Sequence, residues 1–288
     1  MTEVRRLSGE QPSDEDLQRS DGCSRLVVRG SARGTLIEDV FQRSPMRIMF
    51  PRTLSGEVRE AVLLNTAGGV AGGDRLACEV TVTDGASLAV TSQAAEKVYR
   101  ALSEPARIAT RLAARGGARL AWLPQETIVF DQARLRRQTD IEVSPDAELL
   151  ALEWLVLGRA ARGEKLVAGE ITESWRVKRD GRLIWADTFR ATDETFPSLR
   201  KSALLGGRQA LATLLYSGSR LDAWLEVARE LASSRACDCA ATAVSGLLIV
   251  RFASTLPSCL RLALRFLLQR LGHDPTLHPF RVPKMWSC

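Results

Sequence analysis

Residues Leu63 to Arg100 read LLNTAGGVAGGDRLACEVTVTDGASLAVTSQAAEKVYR. Two glycine pairs, Gly68-Gly69 and Gly72-Gly73, stand close together and end at Asp74. Glycine reaches positive φ cheaply and lets a second backbone or a ligand approach closely, so the pairs predict a tight loop poor in side chains. Beyond it the period changes to two. Cys78, Val80 and Val82 alternate with Glu79, Thr81 and Thr83, and Ser87, Ala89 and Thr91 alternate with Leu88 and Val90. Asp84-Gly85 between them is a hairpin dipeptide, which predicts that the glycine loop feeds a β-hairpin. A phosphate loop needs its glycines between a strand and a helix, in a G-x-G-x-x-G or G-x-x-x-x-G-K-[ST] frame, and neither frame is here. Two readings stay open for Asn65–Asp74, a turn cluster or a recognition surface.

Outward from this stretch the β pattern continues. Ser24–Val28, Thr35–Phe41 and Ile48–Phe50 precede it. Ile108–Ala113, Ala118–Leu123, Thr127–Phe130, Thr139–Val143 and Leu149–Leu157 follow, and Lys165–Lys178 with Arg182–Arg190 form a hairpin about Asp180-Gly181. Turn signals recur at short intervals without a βαβ rhythm, so the pairing is expected to be mainly antiparallel. Two stretches have helical period instead. Ser219–Asp222 resembles a capping box ahead of Trp224, Val227, Ala228 and Leu231, and Leu256, Leu260, Leu264, Leu267 and Leu271 run to a stop at Gly272. Between them Ala240–Ser245 and Leu247–Ala253 turn at Ser245-Gly246. The fold class is therefore mainly β: stacked antiparallel or mixed sheets of many short strands, with two helices of the C-terminal half packed on them. One domain is expected over residues 23–288, after a polar, disordered tail over residues 1–22.

Composition narrows the function. Of 288 residues 45% are hydrophobic and 26% charged, as in soluble globular chains. No apolar run approaches the roughly 20 residues of a membrane span, and the N-terminus lacks a signal peptide's apolar centre, which predicts a cytoplasmic protein. The net charge of +6 suggests an acidic partner. Nucleic acid fits poorly, since aromatics make up 6% and no basic run is interleaved with them. Six cysteines fall at 23, 78, 237, 239, 259 and 288. Cys78 and Cys259 read as small core residues. Cys237 and Cys239 form the one close pair, either a plain loop or a transient soft site for a transition metal, and with His273 and His278 both near the C-terminus no zinc frame forms. No nucleophile–base spacing stands out. More telling are Glu126 and Glu153, each inside an apolar strand. A carboxylate there is costly unless paired or wet, so it is either salt-bridged, with Arg159 and Arg162 near in sequence, or lines an internal polar path.

These residues carry a resemblance. Asn65–Asp74, Thr91-Ser92-Gln93 and Lys97-Val98-Tyr99-Arg100 resemble the signature of the urease accessory protein UreD (UreH) family. In the same order follow Ser44–Arg47 as an early Pro-Arg element, Trp122–Ile128 as W-x-P-x-E-x-I, Leu157–Glu164 as L-G-R…G-E, and Arg281–Trp286 as R-x-P-R-x-W. Residues 24–288 are covered. The chain departs from the pattern at Thr66-Ala67, at Lys284 where Arg is common, and in its N-terminal tail.

The resemblance implies a β-rich, non-enzymatic scaffold that binds the urease apoprotein and UreF, and through UreF the GTPase UreG. It implies help with nickel insertion and an internal route for the ion, with no tightly bound cofactor or metal; Glu126 and Glu153 would suit such a route. Asn65, Gly68, Gly69, Gly72, Gly73, Asp74, Thr91, Lys97, Tyr99, Arg100, Gly158, Arg159, Glu164 and Trp286 are the motif residues that would serve partners or structure. Two alternatives are a β-rich binding module for an acidic protein and an enzyme using Asp74, Glu126 or Glu164 as acid or base.

Overall fold

The computed structural model describes residues 18–32, 34–52, 58–233, 237–273 and 282–287. The strands of its first part are β1 (Asp21–Ser31), β2 (Gly34–Arg43), β3 (Met46–Met49), β4 (Arg59–Asn65), β5 (Arg75–Thr83), β6 (Ser87–Ser92), β7 (Glu96–Val98), β8 (Ala106–Ala114), β9 (Arg119–Trp122) and β10 (Thr127–Val129). Then come β11 (Arg134–Val143), β12 (Glu148–Leu157), β13 (Glu170–Arg179), β14 (Arg182–Thr192), helix α1 (Phe196–Leu199), β15 (Ala210–Ser217), helix α2 (Leu221–Ser233), β16 (Asp238–Val244), β17 (Leu247–Ser254) and helix α3 (Pro257–His273). The tail expected over residues 1–22 falls largely outside the described residues, as do Arg281 and His278.

The alternation read in β5 is real: Leu76, Cys78, Val80 and Val82 are buried and their neighbours are not. The hairpin drawn from it is not. β5 belongs to a seven-stranded sheet, order β14-β13-β11-β8-β5-β1-β2, whereas β6 belongs to a ten-stranded sheet running β16-β17-β15-β12-β9-β6-β4-β3, with β7 and β10 attached beside β12. Asp84-Gly85 carries the chain from one sheet to the other, with φ of 56° and 73°. Gly116-Gly117 does the same between β8 and β9, and Ser144–Asp146 between β11 and β12. These arches stack on one another: Gly85 N–H donates to Gly116 O at 2.8 Å, and Ser144 N–H to Ala114 O at 3.0 Å. Because successive strands alternate between sheets, strands of like direction become neighbours. β5, β8, β11 and β13 pair in parallel, and so do β4, β6, β9 and β12. A positive-φ dipeptide between two alternating strands does not say whether their apolar faces pair edge to edge or stack face to face. Here Val80, Val82, Leu88 and Val90 meet across the gap in one cluster. True hairpins form where expected, at Asp180-Gly181 and Ser245-Gly246.

Helices α2 and α3 cover the outer face of the ten-stranded sheet. Trp224, Ala228 and Leu231 from α2, and Leu260, Leu264 and Leu267 from α3, pack on Leu152, Trp154 and Val156 of β12. The apolar run of β12 follows from this, since one face meets the helices and the other the opposite sheet. Leu256 stays exposed, and the Ser219 hydroxyl donates to Glu148 at 3.1 Å instead of completing a capping box. The one-turn α1 had no periodic signal. Cys78 is buried, but Cys259 is only half-buried.

Trp286, near the end of the chain, is fully buried, 6.0 Å from Trp154 in a stack, and its indole N–H donates to Leu123 O at 2.9 Å. Gln125 Nε2 donates to Met285 O at 3.2 Å and fixes the same turn. Trp286→Ala should destabilise the protein by about 3–5 kcal/mol, and Trp286→Phe, which orphans the carbonyl but fills most of the space, by about 1–2 kcal/mol. Urea denaturation of the two variants checks the order.

Candidate functional site: a buried ion triad between two cavities

The space between the sheets is not uniformly apolar. One cluster, around Trp122, Ala151 and Trp175, is separated from another, around Leu135, Leu155 and Ile171, by charged side chains. Parity places them. On β11 the inward positions are Leu135, Arg137, Thr139 and Ile141, and on β13 Ile171, Glu173, Trp175 and Val177. Parallel pairing sets Arg137 beside Glu173, and Glu153 faces both from β12. The Arg137 guanidinium lies 2.9 Å from Glu153 and 2.9 Å from Glu173. It also donates to Thr127 Oγ1 at 2.8 Å, and the Trp122 indole donates to Glu153 at 2.8 Å. The three are 4%, 4% and 7% exposed. Burial raises the Glu153 carboxyl above its usual range, Arg137 pulls it back and Glu173 raises it further. The two carboxylates more than offset the effect of burial on Arg137, whose pKa is raised.

A cavity of about 300 Å³ ends on Arg137 and Glu153. Its lining runs outward past Thr127, Gln125 and Ser92 to Asn65, Gly68, Glu96 and the exposed Gln93 and Ala94. A second cavity, about 410 Å³, ends on Glu153 and Glu173 and runs outward past Thr213 and Phe189 to Asp187, Cys239 and the exposed Asp238 and Arg251. Glu153 lines both.

The glycine loop forms the rim of the first cavity. Asn65 accepts from Ala67 N–H at 3.0 Å and donates to Gly69 O at 3.1 Å and to Glu96 at 3.2 Å. The Tyr99 hydroxyl donates to Gly68 O at 3.0 Å. Gly69 has φ 155°, and a Cβ there would sit 2.4 Å from the Tyr99 ring and 2.9 Å from Lys97 O. At Gly72 an added Cβ would sit 2.6 Å from Glu104 O, so close approach explains that position. Asp74 is buried and accepts from Ser20 N–H and Ala71 N–H, each at 2.7 Å. It ties the chain entering β1 to the loop. Thr91 is buried, while Lys97 and Arg100 are exposed.

The arrangement meets its relatives at this point. A family model described as UreD urease accessory protein matches residues 20–287. Urease accessory protein UreD of Xanthobacter autotrophicus is 41% identical over 270 residues, covering 94% of this chain and 91% of its own length. The protein of the same name from a Methylobacterium species is 39% identical over 282 residues, covering 96% and 98%, and Urease accessory protein UreD 1 of Methylobacterium radiotolerans is 45% identical over 240 residues, covering 81% and 82%. The chain belongs to the UreD family of urease accessory proteins.

The elements that carry the UreD resemblance come together through β7, β10 and β12, for β10 pairs with both others. Tyr99 meets Phe130 edge-on at 5.2 Å, Arg159 stands 4.6 Å over the other ring, Phe130, and ion-pairs with Glu164. Glu164 also accepts from Asp131 N–H at 3.2 Å, and Gly158 leaves no room for a Cβ beside Glu164 O. Arg159 thus serves Glu164 and not Glu153, whose partner is Arg137. Glu126 has a partner of its own, Arg261 of α3 at 2.5 Å, which stands over the Trp154 and Trp286 rings on the helix side of the sheet. Glu126 lines neither cavity. The three carboxylates weighed as acid or base, Asp74, Glu126 and Glu164, are therefore each held by backbone N–H groups or arginine. Cys239 lies on β16 and Cys237 just before it, its thiol donating to Ala253 O at 3.2 Å. Burial pushes the Cys239 thiol up to about 12 and raises Cys237 as well, so both are protonated near neutrality, when a soft metal site needs thiolates. Arg137, Glu173 and Glu96 escaped the sequence reading. Arg137 and Glu173 had a signal, a charge on the inward parity of an alternating strand. Glu96 had none.

Asp74→Ala should cost about 2–3 kcal/mol, more than a loosened turn, because two backbone donors, Ser20 N–H and Ala71 N–H, lose their acceptor. Chemical denaturation of the variant measures it. Glu96 gives a pH test. Burial, with Asp74 adding, pushes its carboxyl from 4.5 up to about 7, against hydrogen bonds from Asn65 and Lys97 N–H and the Lys97 charge. The folded pKa lies above the unfolded one, so its contribution to stability is complete below about 4.5 and is lost as pH rises through about 7. Glu96→Gln stays neutral and should flatten this slope, leaving the variant more stable than the wild type at pH 8. Melting temperatures of both proteins across pH 4–8 decide it.

Proposed function

We propose that this protein is a non-enzymatic chaperone of urease maturation. In this reading it binds the urease apoprotein and UreF, reaches UreG through UreF, and passes nickel through its own interior toward the urease active site. The observation that carries the reading is that one buried carboxylate, Glu153, lines two cavities that reach the surface at different places. Carboxylate, hydroxyl and amide oxygens suit a borderline divalent ion held weakly, and no three Cys, His, Asp or Glu side chains gather into a retaining site among the described residues. Family membership supports the urease connection. Leu262 and Phe266, exposed one turn apart on α3, offer an apolar surface for a protein partner. No helix among the described residues is long and apolar enough to cross a membrane.

Glu153→Gln tests the route. Removing one buried carboxylate normally strands its arginine, but Arg137 keeps Glu173 as an ion partner. Folding stability should therefore change by less than about 1 kcal/mol. Capture of UreF and urease should be unchanged, while nickel per urease active site, after co-expression with the other accessory proteins, falls several-fold. Glu126→Gln should instead lose stability, since Arg261 has no second carboxylate among the described residues, and load nickel in proportion to the folded protein that survives. Full loading with Glu153→Gln would remove the interior route.

A further inference from the structure

The triad brings two carboxyl groups to one guanidinium, all three residues nine-tenths or more buried, so a single cation is shared between two acid side chains in a low-dielectric interior. Its cation is not fully satisfied. Among the described residues Arg137 Nε has no hydrogen-bond partner and the terminal nitrogen facing Glu173 is in ion-pair contact at 2.9 Å without a hydrogen bond, while the other terminal nitrogen reaches Glu153 and Thr127. A guanidinium normally spends its donors when it is buried with carboxylates. The position is equally specific. Arg137 lines only the first cavity, Glu173 only the second, and Glu153 both. The arginine therefore sits between two oxygen ligands at the boundary of two spaces.

We infer that Glu153 and Glu173 form a transient oxygen site for a divalent cation in which Arg137 is the resident cation, exchanged during passage. The inference rests on the interior route proposed above and assigns its control point. A divalent ion carries twice the charge of the guanidinium it replaces between the two acid side chains, which favours the ion at that point, while the displaced guanidinium stays in the interior and opposes it. Dehydration of the ion opposes it, which keeps the exchange close to balanced. The displaced guanidinium has a place to go, because the cavity beside it is lined by Thr127, Gln125, Ser92 and Glu96. When Arg137 swings back it reclaims both carboxylates and drives the ion toward the Asp187–Arg251 side. Arg137 is thus a positioning residue that prevents the carboxylates from retaining the ion.

The consequence is opposite in sign to a structural role. Arg137→Gln should increase nickel retention by the full-length chain and decrease delivery. The experiment compares wild type, Arg137→Gln, Arg137→Lys and Arg137→Gln/Glu153→Gln. It measures nickel retained after gel filtration in chelator-free buffer, nickel affinity by calorimetry, and melting temperature with and without nickel. Arg137→Gln should bind nickel roughly tenfold tighter or better than wild type and melt higher when nickel is added. The double variant should lose both gains, and Arg137→Lys, whose single ammonium competes less well for two carboxylates, should lie between. In co-expression Arg137→Gln should leave urease several-fold poorer in nickel. Equal retention in wild type and Arg137→Gln overturns the exchange, whatever urease loading shows. An Arg137→Gln chain that nickel cannot fold, beside an Arg137→Lys chain that folds but binds no more nickel than wild type, overturns it equally. Failure of the route itself reads out separately, as full urease loading by Glu153→Gln.

Discussion

The arch at Asp84-Gly85, repeated at Gly116-Gly117 and Ser144–Asp146, is the constraint on which the rest depends. Each arch takes a strand out of one sheet and starts the next strand in the other. Both sheets then grow in step, with parallel neighbours, and residues far apart in sequence arrive at one level. The register makes this concrete: Arg137 lies beside Ile108 and Glu173, and Glu153 lies beside Thr213. A hairpin at any arch would have turned the following strand antiparallel within its own sheet, and Arg137 could not have faced Glu153 across the interior.

That facing arrangement is a poor way to stabilise a protein. Desolvating three charges costs several kcal/mol for each, and their mutual attraction returns about as much only when every donor and acceptor is satisfied. Here two guanidinium nitrogens, Nε and the one facing Glu173, make no hydrogen bond among the described residues. An apolar belt of the same volume would join the two inter-sheet clusters into one and would hold the sheets at least as well. Apolar packing holds the fold elsewhere: β12 is buried on both faces, and the Trp154–Trp286 stack locks the C-terminal turn against it. The polar belt is a local departure from that packing, of the kind that functional sites make.

Much of this was legible in the sequence, and what was not has identifiable causes. Period-two alternation located most strands, and period 3.6 located α2 and α3, because both periods record which side chains meet the core. Pairing partners were not legible, since Asp84-Gly85 supplies the same positive φ to a hairpin or to an arch. The glycine loop was read in part. Its need for small residues followed from composition, but the reasons differ between Gly69, hemmed by Tyr99, and Gly72, hemmed by Glu104 O. For Glu153 the sequence stated the problem, a carboxylate in an apolar strand, and named the wrong arginines, because proximity in sequence says little between strands of opposite sheets. Parity was the better guide. Arg137 follows Leu135 and precedes Thr139 and Ile141 on the inward side, and Glu173 stands between Ile171 and Trp175. Glu126 shows the limit of the same logic. The sequence set it inside an apolar strand, but it lies in the connection between β9 and β10, where no strand parity applies, and Arg261 of α3 receives it.

A carrier of a metal ion faces a requirement that a metalloprotein does not: each site must bind weakly enough to let go. A ring of thiolates or imidazoles would capture a borderline ion and hold it. Burial raises the Cys237 and Cys239 thiols further above neutrality, which disfavours such a ring near the second cavity. Two carboxylates alone, in a dry interior, would also hold a divalent ion too long, because little else could neutralise them. A tethered cation at the same place solves this. In the proposed route it would engage the carboxylates when no ion is present and compete at an effective concentration that no free ion in solution matches. Lysine would supply the charge but only as a point, whereas the forked guanidinium reaches both carboxylates at once. On that proposal the arginine on the inward parity of β11 would reconcile a folded apoprotein with a weak, directional ion site.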